Sequence, residues 1–363
     1  MIKVLHISTA KSWRGGEQQL AYMIENINHS KFSNYLLCIS DSEVQDFFKA
    51  SNVKIYTQRK SHSFSISWGR KINKICQDEQ IDIIHCHDSK SHTYAVLSDL
   101  IVGRDSPIVV HRKVAFPIKT SYLTKYKYNY KNVKKIICIS NAVVDQVNKV
   151  VENKSVITLI NSSKKIGKTN EHNISLKEKY RLNKKNKIIG YIAALTFEKD
   201  HETFLNTAKQ IINKRNDVHF FIIGEGKLKH SIEEKITELK LSDYVTVTGF
   251  IKDAKLLINQ FDLLLFTSIS EGLGSTLLDT MEQRVPIVMT KNGGGEEVII
   301  DNYSGFICNK KDYKCLSSKV LLCLEDTEKV AFLTENAYQD LLSKFSVDKM
   351  VKLLEDQYLK IIS

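Results

Sequence analysis

An acidic residue, two glycines and two hydroxyl residues follow an apolar run in the second half of the chain. The run extends from Phe261 to Phe266, and the residues of interest come after it: Glu271, Gly272, Gly274, Ser275 and Thr276. This order predicts a buried strand that ends in a polar turn, from which a helix begins. Amides at a helix start lack partners within the helix and lie at the positive end of its dipole, so they favour phosphate or sugar oxygens. The stretch therefore predicts a site for such a ligand.

The helix predicted after this turn carries a second carboxylate. Ser275 or Thr276 is expected to cap the helix, and Asp279 follows about one turn later. If the chain were helical throughout, Glu271 and Asp279 would be about two turns apart, and both could address one extended ligand. The alternative is an ordinary capped helix whose acidic residue has no role.

Two other turns between a strand and a helix offer contacts for an anion. In SWRGGEQQLAYMI, residues 12–24, Gly15 and Gly16 precede an amphipathic helix, and Arg14 adds a fixed positive charge. The spacing is not that of G-x-G-x-x-G, so dinucleotide binding is not supported. Lys199 follows the first strand of the second half, where its ammonium group could meet a diphosphate. Each of these turns, taken alone, could be an ordinary solvated turn without a ligand. Together with the turn at Glu271, they predict a nucleotide-diphosphate site.

Strand-like and helix-like stretches alternate in two series along the chain. The first series contains KVLHIS, YLLCIS, VKIYTQ, IDIIHCH, PIVVHRK and KKIICIS, and the second begins at Lys187 with KIIGYIAAL. This alternation predicts parallel sheets, with ligands bound beyond the carboxyl ends of the strands. A polar, lysine-rich segment centred near residues 161–175 predicts a linker. The expected architecture is α/β, with two Rossmann-like, doubly wound domains, residues 1–165 and 166–345, that face a central cleft.

The excess positive charge is confined to the first half. Residues 1–165 contain 25 Lys and Arg against 13 Asp and Glu, whereas residues 166–363 contain 28 of each. This asymmetry predicts a local positive surface on the first domain. No apolar run approaches about 18 residues, and the amino-terminal MIKVLHIS enters a strand at once, so we expect neither a spanning helix nor a secretory signal. Scattered cysteines without a CxxC pair are more typical of reduced thiols in the cytosol than of a disulfide framework.

The stretch HCHDSKSH contains residue types that bind metals. His85 and His87 would share one face of a strand beside Cys86, and a following helix could bring His92 close to them. A structural zinc site needs four ligands in a recognisable pattern, and the sequence has no second cluster. We therefore expect no metal, and we expect His87 to line the cleft.

Aromatic and cationic residues alternate in TSYLTKYKYNYKNVKK, residues 120–135. Tyr122, Tyr126 and Tyr130 would lie on one helical face, with the lysines elsewhere. One interpretation is a helix that packs its tyrosines inward and solvates its lysines, and another is contact with an anionic membrane surface. Stacking on nucleic acid is the third, but no motif of a nucleic-acid-binding fold supports it, so we expect no nucleic acid.

The stretch EGLGSTLLDTMEQRVPIV resembles the signature of family 4 glycosyltransferases with the GT-B fold, E-G-[FL]-G-x-x-x-x-E-A-x-A-x-G-x-P-V. Similar stretches occur in family order along nearly the whole chain: RGGEQQLA, IDIIHCH, PIVVHRK, LTFEKDHETFL, FFIIGEG and VTVTGF. The final FSVDKMVKLLEDQYLKII resembles the helix with which the family returns to the first domain, here residues 346–363.

The resemblance implies a donor that is a nucleotide-diphosphate sugar of the UDP or GDP type, with no other cofactor and no metal. Glu271 would contact sugar hydroxyls, Asp279 would hold the ribose, and Lys199 would neutralise the diphosphate. The backbone of Gly272, Leu273, Gly274, Ser275 and Thr276 would line the sugar and phosphates. The remaining donor contacts would come from Gly15, Gly16, Gly224, Gly226, Thr248 and Gly249.

The resemblance also implies residues near the acceptor. His111 would lie near the transferred sugar, and the acceptor side would include Arg14, His87, Arg112 and Lys113. Several positions depart from the family pattern. Glu282 and Arg284 replace the usual alanine and glycine of the signature, and Ser162 and Ser163 stand where a glycine is common. Asp279 replaces the family's second glutamate, and Ala194 stands where an arginine is common, so the diphosphate would meet one cation fewer.

The implied activity is retaining, metal-independent transfer of a hexose-type sugar, in which the leaving phosphate helps to deprotonate the acceptor. The acceptor would be a glycan or lipid-linked glycan of lipopolysaccharide or surface polysaccharide synthesis. The positive first half suggests a cytoplasmic protein in peripheral contact with an anionic membrane surface. The alternatives are a GT-B sugar-nucleotide epimerase, which needs no acceptor, and a non-catalytic sugar-nucleotide-binding partner of another transferase.

Overall fold

A computed structural model describes residues 1–62, 64–103, 106–167 and 172–363. Part of the predicted linker, residues 168–171, lies outside the described residues. The chain folds into two compact units. The first unit contains Met1–Lys165 and Val347–Ser363, and the second contains Ile166–Ser346.

The first unit is built on a seven-stranded parallel sheet with the strand order β3-β2-β1-β4-β5-β6-β7. Its strands are β1 (Ile2–Ile7), β2 (Phe32–Ile39), β3 (Lys54–Gln58), β4 (Ile83–Cys86), β5 (Ile108–Arg112), β6 (Val133–Cys138) and β7 (Ile157–Leu159). Its helices are α1 (Gly15–Asn26), α2 (Glu43–Phe48), α3 (Ile66–Glu79), α4 (Ser89–Val102), α5 (Tyr122–Tyr128) and α6 (Asn141–Asn148). A 3-10 turn at Lys154–Val156 precedes the last strand. The central strands are apolar along most of their length, as expected of a parallel sheet covered on both faces.

The second unit repeats this plan with six parallel strands in the order β10-β9-β8-β11-β12-β13. Its strands are β8 (Lys187–Ile192), β9 (Val218–Ile223), β10 (Val245–Gly249), β11 (Leu263–Phe266), β12 (Ile287–Thr290) and β13 (Phe306–Cys308). Its helices are α7 (Leu176–Lys179), α8 (His201–Ile212), α9 (Lys229–Glu238), α10 (Ser275–Glu282), α11 (Tyr313–Glu325) and α12 (Thr327–Lys344). Short 3-10 turns occupy Phe197–Lys199, Ala254–Gln260 and Gly295–Glu297.

The last helix, α13 (Val347–Ile362), packs on the first unit. Its apolar face buries Met350, Leu354 and Tyr358 against a cluster that includes Val4 and Ile83 from the sheet. The Tyr358 hydroxyl lies 2.6 Å from Nδ1 of His85 in the same core. The amphipathic spacing of this helix is what allows the end of the chain to complete the core of the first unit.

The cysteine expectation is wrong for one pair. Cys308 at the end of β13 and Cys315 in α11 form a disulfide, with their Cα atoms 6.0 Å apart. The five other cysteines are free and buried. Burial raises the pKa of Cys138 and of Cys323 to about 12, so these thiols remain protonated and unreactive. The pair was missed because only the fold brings the two residues into bonding geometry.

The inward-packed tyrosine stripe is also wrong. Helix α5 ends at Tyr128, and the Asn129 side chain then donates to the Lys125 and Val150 carbonyls. Tyr130 lies beyond the helix and is buried, whereas Tyr122 is 80% and Tyr126 43% exposed. The three tyrosines therefore do not form one buried face. None of the described helices is long and apolar enough to cross a bilayer.

Candidate active site

In the second unit, a lysine and a glutamate from two different loops form an ion pair. Lys199 ends the 3-10 turn that follows β8, and Glu271 lies in the loop between β11 and α10. The Lys199 Nζ atom donates to Oε1 of Glu271 at 2.5 Å, and the two side chains are 19% and 12% exposed. Both loops leave the carboxyl ends of neighbouring parallel strands, where ligands bind in doubly wound sheets.

The position of Lys199 is held from its backbone side. Its carbonyl accepts hydrogen bonds from the Tyr191 hydroxyl at 2.8 Å and from Oγ1 of Thr267 at 3.2 Å. The next residue, Asp200, has a φ of 46° and caps α8 through a bond from the Thr203 amide. The lysine is thus fixed at its main chain while its side chain reaches the carboxylate.

The loop that carries Glu271 is tied to the loop after β12. The Glu271 amide donates to the Asn292 carbonyl at 3.0 Å. A carboxylate oxygen of Glu296 accepts the amides of Asn292 and Gly293 at 3.0 and 2.8 Å. The carboxylate of Glu271 is therefore presented by a well-bonded loop, which is the preorganisation that a polar binding group needs.

Helix α10 starts with uncapped amides, and this corrects the predicted cap. The N-cap residue is Gly274, and among the described residues no side chain caps the helix. Ser275 and Thr276 are already helical, and the Thr276 hydroxyl donates to the Ile192 carbonyl at 3.4 Å. Gly274 has a φ of +94°, which favours glycine strongly. The first-turn amides thus have no side-chain acceptor, as suits a site for phosphate or sugar oxygens.

The spacing argument for Glu271 and Asp279 holds only in part. Because α10 begins at Ser275, the two acidic residues are not on one continuous helix. Asp279 lies half-buried in α10, and Glu271 lies in the turn before it.

The two glycines of the G-E-G turn are needed for backbone packing. A Cβ atom on Gly224 would lie 1.9 Å from the Ala193 carbonyl oxygen, and one on Gly226 would lie 2.3 Å from that of Leu195. Gly249, with a φ of +75°, is in open surroundings, and the Thr248 hydroxyl donates to its carbonyl at 2.9 Å. Gly224 and Gly226 therefore let neighbouring strand ends approach closely, a requirement that exists without a ligand.

In the first unit, the glycine turn at α1 contacts the lysine that follows β5. Gly15 and Gly16 open α1, and Arg14 is its N-cap residue. The Lys113 Nζ atom donates to the Gly16 carbonyl at 2.8 Å. Burial lowers the pKa of Lys113 to about 8, while the charges of nearby Glu17 and Asp88 oppose that shift.

Four histidines converge at the carboxyl ends of β1, β4 and β5. The His87 and His111 ring centroids are 5.9 Å apart, and the His85 ring stacks on that of His111 at 5.5 Å. His87 Nε2 lies 2.9 Å from Nδ1 of His6. Burial lowers the pKa of each ring, to about 4 for His6 and well below the usual value for the others. The cluster is therefore neutral near pH 7.

Family models match both halves of the chain. Residues 13–161 match the model described as Glycosyltransferase Family 4, and residues 172–340 match the one described as Glycosyl transferases group 1. The chain is a family 4 glycosyltransferase.

Known proteins resemble this glycosyltransferase over most of its length. It is 22% identical over 322 residues to N-acetyl-alpha-D-glucosaminyl L-malate synthase of Bacillus anthracis, a match that covers 87% of this chain and 84% of that protein. The crystal structure of Anabaena Alr3699/HepE in complex with UDP and glucose matches 99% of this chain and 100% of that chain, with a TM-score of 0.84 and 18% identity. Lipopolysaccharide outer core galactosyltransferase WaaB in its apo form matches the same shares with a TM-score of 0.75 and 15% identity. These matches confirm the predicted fold class, the GT-B fold with two parallel-sheet α/β domains.

Predicted site residues of the glycosyltransferase lie together in two groups, one in each unit. In the second unit the structure joins Lys199 to Glu271 and sets both beside the start of α10. In the first unit Lys113 meets Gly16, and His87 lies beside His111. The Arg112 guanidinium donates to the Phe116 carbonyl at 2.9 Å.

Three residues that bond within or near the two groups were missed from the sequence. Tyr191 bonds the Lys199 carbonyl and Ser268, and His6 bonds His87. Asp88 caps α4 and accepts both the amide and the hydroxyl of Thr9 at 2.6 and 2.7 Å. Only Asp88 had a usable signal, because an aspartate three residues before Ser91 fits a helix N-terminus.

Among the described residues, the group that could hold a metal ion differs from the one weighed in the sequence analysis, where no metal was expected. His6, His85 and His87 are buried and offer ligand atoms within 4.8 Å of one another. His92 instead lies 3.1 Å from the Lys127 carbonyl and meets the Tyr128 ring edge-on. The close contact of His6 with His87 is explained by a hydrogen bond between neutral rings.

Buried neutral histidines predict a loss of stability in acid. Burial lowers the pKa of His219 from 6.5 to about 4, and its Nε2 atom lies 2.8 Å from Oγ1 of Thr246. Between these two values the unfolded chain binds more protons than the folded one, so the free energy of unfolding falls as the pH falls from 6.5 to 4. We expect His219→Phe to reduce the slope of the free energy of unfolding against pH by up to about 1.4 kcal/mol per pH unit. Urea titrations at several pH values in this range measure that slope.

The matched control for this measurement is His230→Phe. The His230 side chain is 86% exposed, so this variant controls for the loss of a histidine that is not buried. Equal slopes for the parent chain and for His219→Phe would contradict the assignment of the pH dependence to buried neutral histidines.

Proposed function

We propose that the chain is a retaining, metal-independent glycosyltransferase that moves a hexose-type sugar from a nucleotide-diphosphate sugar to a glycan acceptor. The observation that carries this proposal is the Lys199–Glu271 ion pair beside the open amino terminus of α10. A cation and helix-start amides that no described side chain caps suit a diphosphate, and a fixed carboxylate suits sugar hydroxyls. The fold shared with a structure that holds UDP and glucose supports a donor of the UDP type, and GDP remains the second candidate.

In the proposed reaction, charge develops on the diphosphate as its bond to the sugar breaks. Lys199 and the first-turn amides of α10 stabilise that charge, because they are already in place before the bond breaks. Glu271 accepts hydrogen bonds from the sugar hydroxyls and so orients the ring. Asp279 holds the ribose. The leaving phosphate oxygen takes the proton of the acceptor hydroxyl on the same face of the sugar, so the reaction retains configuration without a protein nucleophile.

The first unit supplies the proposed acceptor side. His87 and His111 are neutral, so their rings can each donate one hydrogen bond and accept another. Among the described residues, three ring nitrogens of these histidines have no hydrogen-bond partner. They are Nδ1 and Nε2 of His111 and Nδ1 of His87. Unpaired buried polar atoms are costly, and hydroxyl groups of a bound sugar would satisfy them.

The proposed acceptor is a lipid-linked or surface glycan, as in lipopolysaccharide or surface polysaccharide synthesis. The positive first half suggests peripheral contact with an anionic membrane at its cytoplasmic face. The fold shared with a lipopolysaccharide galactosyltransferase supports this choice of acceptor class.

A thermal-shift panel tests the proposed donor class. Nucleotide-diphosphate sugars should raise the melting temperature of the chain, because a ligand that binds only the folded state stabilises it. The shift should survive EDTA, since Lys199 and the amides of α10 replace a metal in the proposal. A shift that requires added Mg²⁺ or Mn²⁺ would contradict metal independence, and the absence of any shift across the panel would contradict donor binding.

Incubation of the stabilising donor alone, followed by NMR of the sugar, separates transfer from epimerisation. We expect the donor sugar to keep its configuration until a glycan acceptor is added. Conversion of the donor to its epimer without acceptor would overturn the proposal in favour of an epimerase.

A further inference from the structure

One stretch of the first unit exposes an unusual number of apolar side chains. We call residues 114–126, which join β5 to α5 and include most of that helix, the β5–α5 surface. Its exposed members and their exposed fractions are Val114 39%, Phe116 46%, Tyr122 80%, Leu123 62% and Tyr126 43%. Scattered apolar residues are common on protein surfaces, but a concentration of five in one short stretch indicates an interaction site.

The same stretch lies within a segment that has no acidic residues. Between Asp105 and Asp145 the chain contains no Asp or Glu. In the same interval it contains eight cations, namely Arg112, Lys113, Lys119, Lys125, Lys127, Lys131, Lys134 and Lys135. Of these, Lys119, Lys125, Lys131 and Lys134 are exposed. The apolar side chains are therefore flanked by positive charge that no acidic residue of the segment balances.

Contacts at the carboxyl end of α5 hold this surface outward. Tyr128 and Tyr130 are buried, and the Tyr130 hydroxyl donates to Oδ2 of Asp99 at 2.8 Å. The Lys127 Nζ atom donates to the Ser89 carbonyl at 3.1 Å, which fastens α5 to α4. With this end fixed, Tyr122, Leu123 and Tyr126 remain on the solvent side of a short, ordered helix.

We propose that the β5–α5 surface docks the chain on an anionic lipid bilayer. Aromatic rings with a polar tip favour the headgroup region, a leucine can enter the boundary of the acyl chains, and lysines are attracted by anionic headgroups. Charge complementarity selects this partner, because the segment carries only cations. A bilayer offers acyl chains to the apolar side chains and anionic headgroups to the lysines, whereas a nucleic acid would leave Leu123 and Val114 without a favourable contact.

This proposal names the surface that would make the membrane contact included in the proposed function. Its consequence for catalysis rests on that function. Strand β5 ends at His111 and Arg112, and Lys113 follows. These are proposed acceptor-side residues, and the chain passes from them directly into the β5–α5 surface. Docking of this surface would therefore hold the acceptor side of the first unit close to the bilayer, where a lipid-linked acceptor is embedded.

Co-sedimentation of the full-length chain with vesicles tests docking without donor or acceptor. We expect recovery with an equal mixture of phosphatidylcholine and phosphatidylglycerol and little recovery with phosphatidylcholine alone. The double substitution Lys119→Glu and Lys125→Glu should weaken partitioning roughly 25-fold or more, since each lysine near an anionic surface contributes about fivefold. The pair Tyr122→Ser and Leu123→Ser should weaken it about tenfold or more.

Helix α13 of the same unit offers matched controls. Lys352 and Lys360 are exposed, and Leu359 is 43% exposed. The pair Lys352→Glu and Lys360→Glu makes the same charge change, and Leu359→Ser removes a similar apolar group. Both controls should partition like the parent chain. Variants are compared only where their melting temperatures equal that of the parent chain. Tyr122→Trp provides a conservative variant whose fluorescence should be quenched by brominated lipid.

Several results would overturn the proposal. They are equal recovery on neutral and anionic vesicles, equal loss in the α13 controls, and fluorescence of the vesicle-bound Tyr122→Trp variant that brominated lipid does not quench. Binding of single-stranded RNA through the same lysines, with no recovery on vesicles, would also overturn it. Because partitioning is measured without substrate, its failure would leave donor binding in the thermal-shift panel untouched, and the reverse also holds.

Discussion

Replacement of Glu271 by alanine is expected to lower the rate of sugar transfer by about 10²-fold or more, the scale for loss of a preorganised polar contact. The carboxylate is 12% exposed and held by a bonded loop, so water cannot replace it at low cost. Removal also leaves the Lys199 ammonium group, 19% exposed, without its partner. Steady-state transfer to a glycan acceptor measures the effect.

Two further variants sharpen this test. Glu271→Gln keeps the size and the hydrogen-bond acceptor but removes the charge, so it should retain more activity than Glu271→Ala. Glu233→Ala removes an acid from α9 that is 49% exposed and should not change the rate. Full transfer by a folded Glu271→Ala protein would remove Glu271 from the active site.

Replacement of Lys199 by methionine is expected to lower kcat by about 10²-fold as well, because the charge that develops on the leaving diphosphate loses a preorganised cation. Methionine keeps most of the length of the side chain, so packing changes little. Lys229→Met, at a side chain that is 53% exposed, is the control with the same loss of charge. A rise in KM with an unchanged kcat would show that Lys199 acts in uniform binding and not on the leaving group.

The ion pair also predicts that the effects of substitutions at Lys199 and Glu271 are coupled. Since Lys199 and Glu271 are in contact, the effects of Lys199→Met and Glu271→Gln on transfer should not add, and the double variant should lose less than the product of the two factors. Additive losses would indicate that the two side chains act on separate parts of the donor without depending on each other.

Much of the fold could be predicted because parallel strands are buried on both faces. Stretches such as VHFFIIG and DLLLFTS are nearly continuous apolar runs, and the structure makes them strands of one parallel sheet. The acid and glycines after Phe266 likewise predicted a turn before a helix, and α10 begins there. The ends of the helices were predicted less accurately, since the N-cap residue of α10 is Gly274 and not a hydroxyl residue.

The candidate site was predicted less completely than the fold. Lys199 and Glu271 were each identified from a local pattern, but nothing local indicates that they form an ion pair. The histidine group shows the same limit, because His6 replaces His92 as the neighbour of His85 and His87. The G-E-G turn shows the reverse case, in which glycines that suggested a ligand are already required by backbone packing.

The sequence by itself determined the two parallel-sheet domains, the turn at residues 271–274 before α10, the amphipathic closing helix and the confinement of positive charge to the first half. These features follow from local periodicity, composition and turn chemistry, which act over a few residues. Tertiary structure alone decided the Lys199–Glu271 pair, the His6–His87 contact, the Cys308–Cys315 bond and the outward face of Tyr122. Each of these depends on which segments pack together, and packing is set by the burial of the whole chain and not by neighbours in sequence.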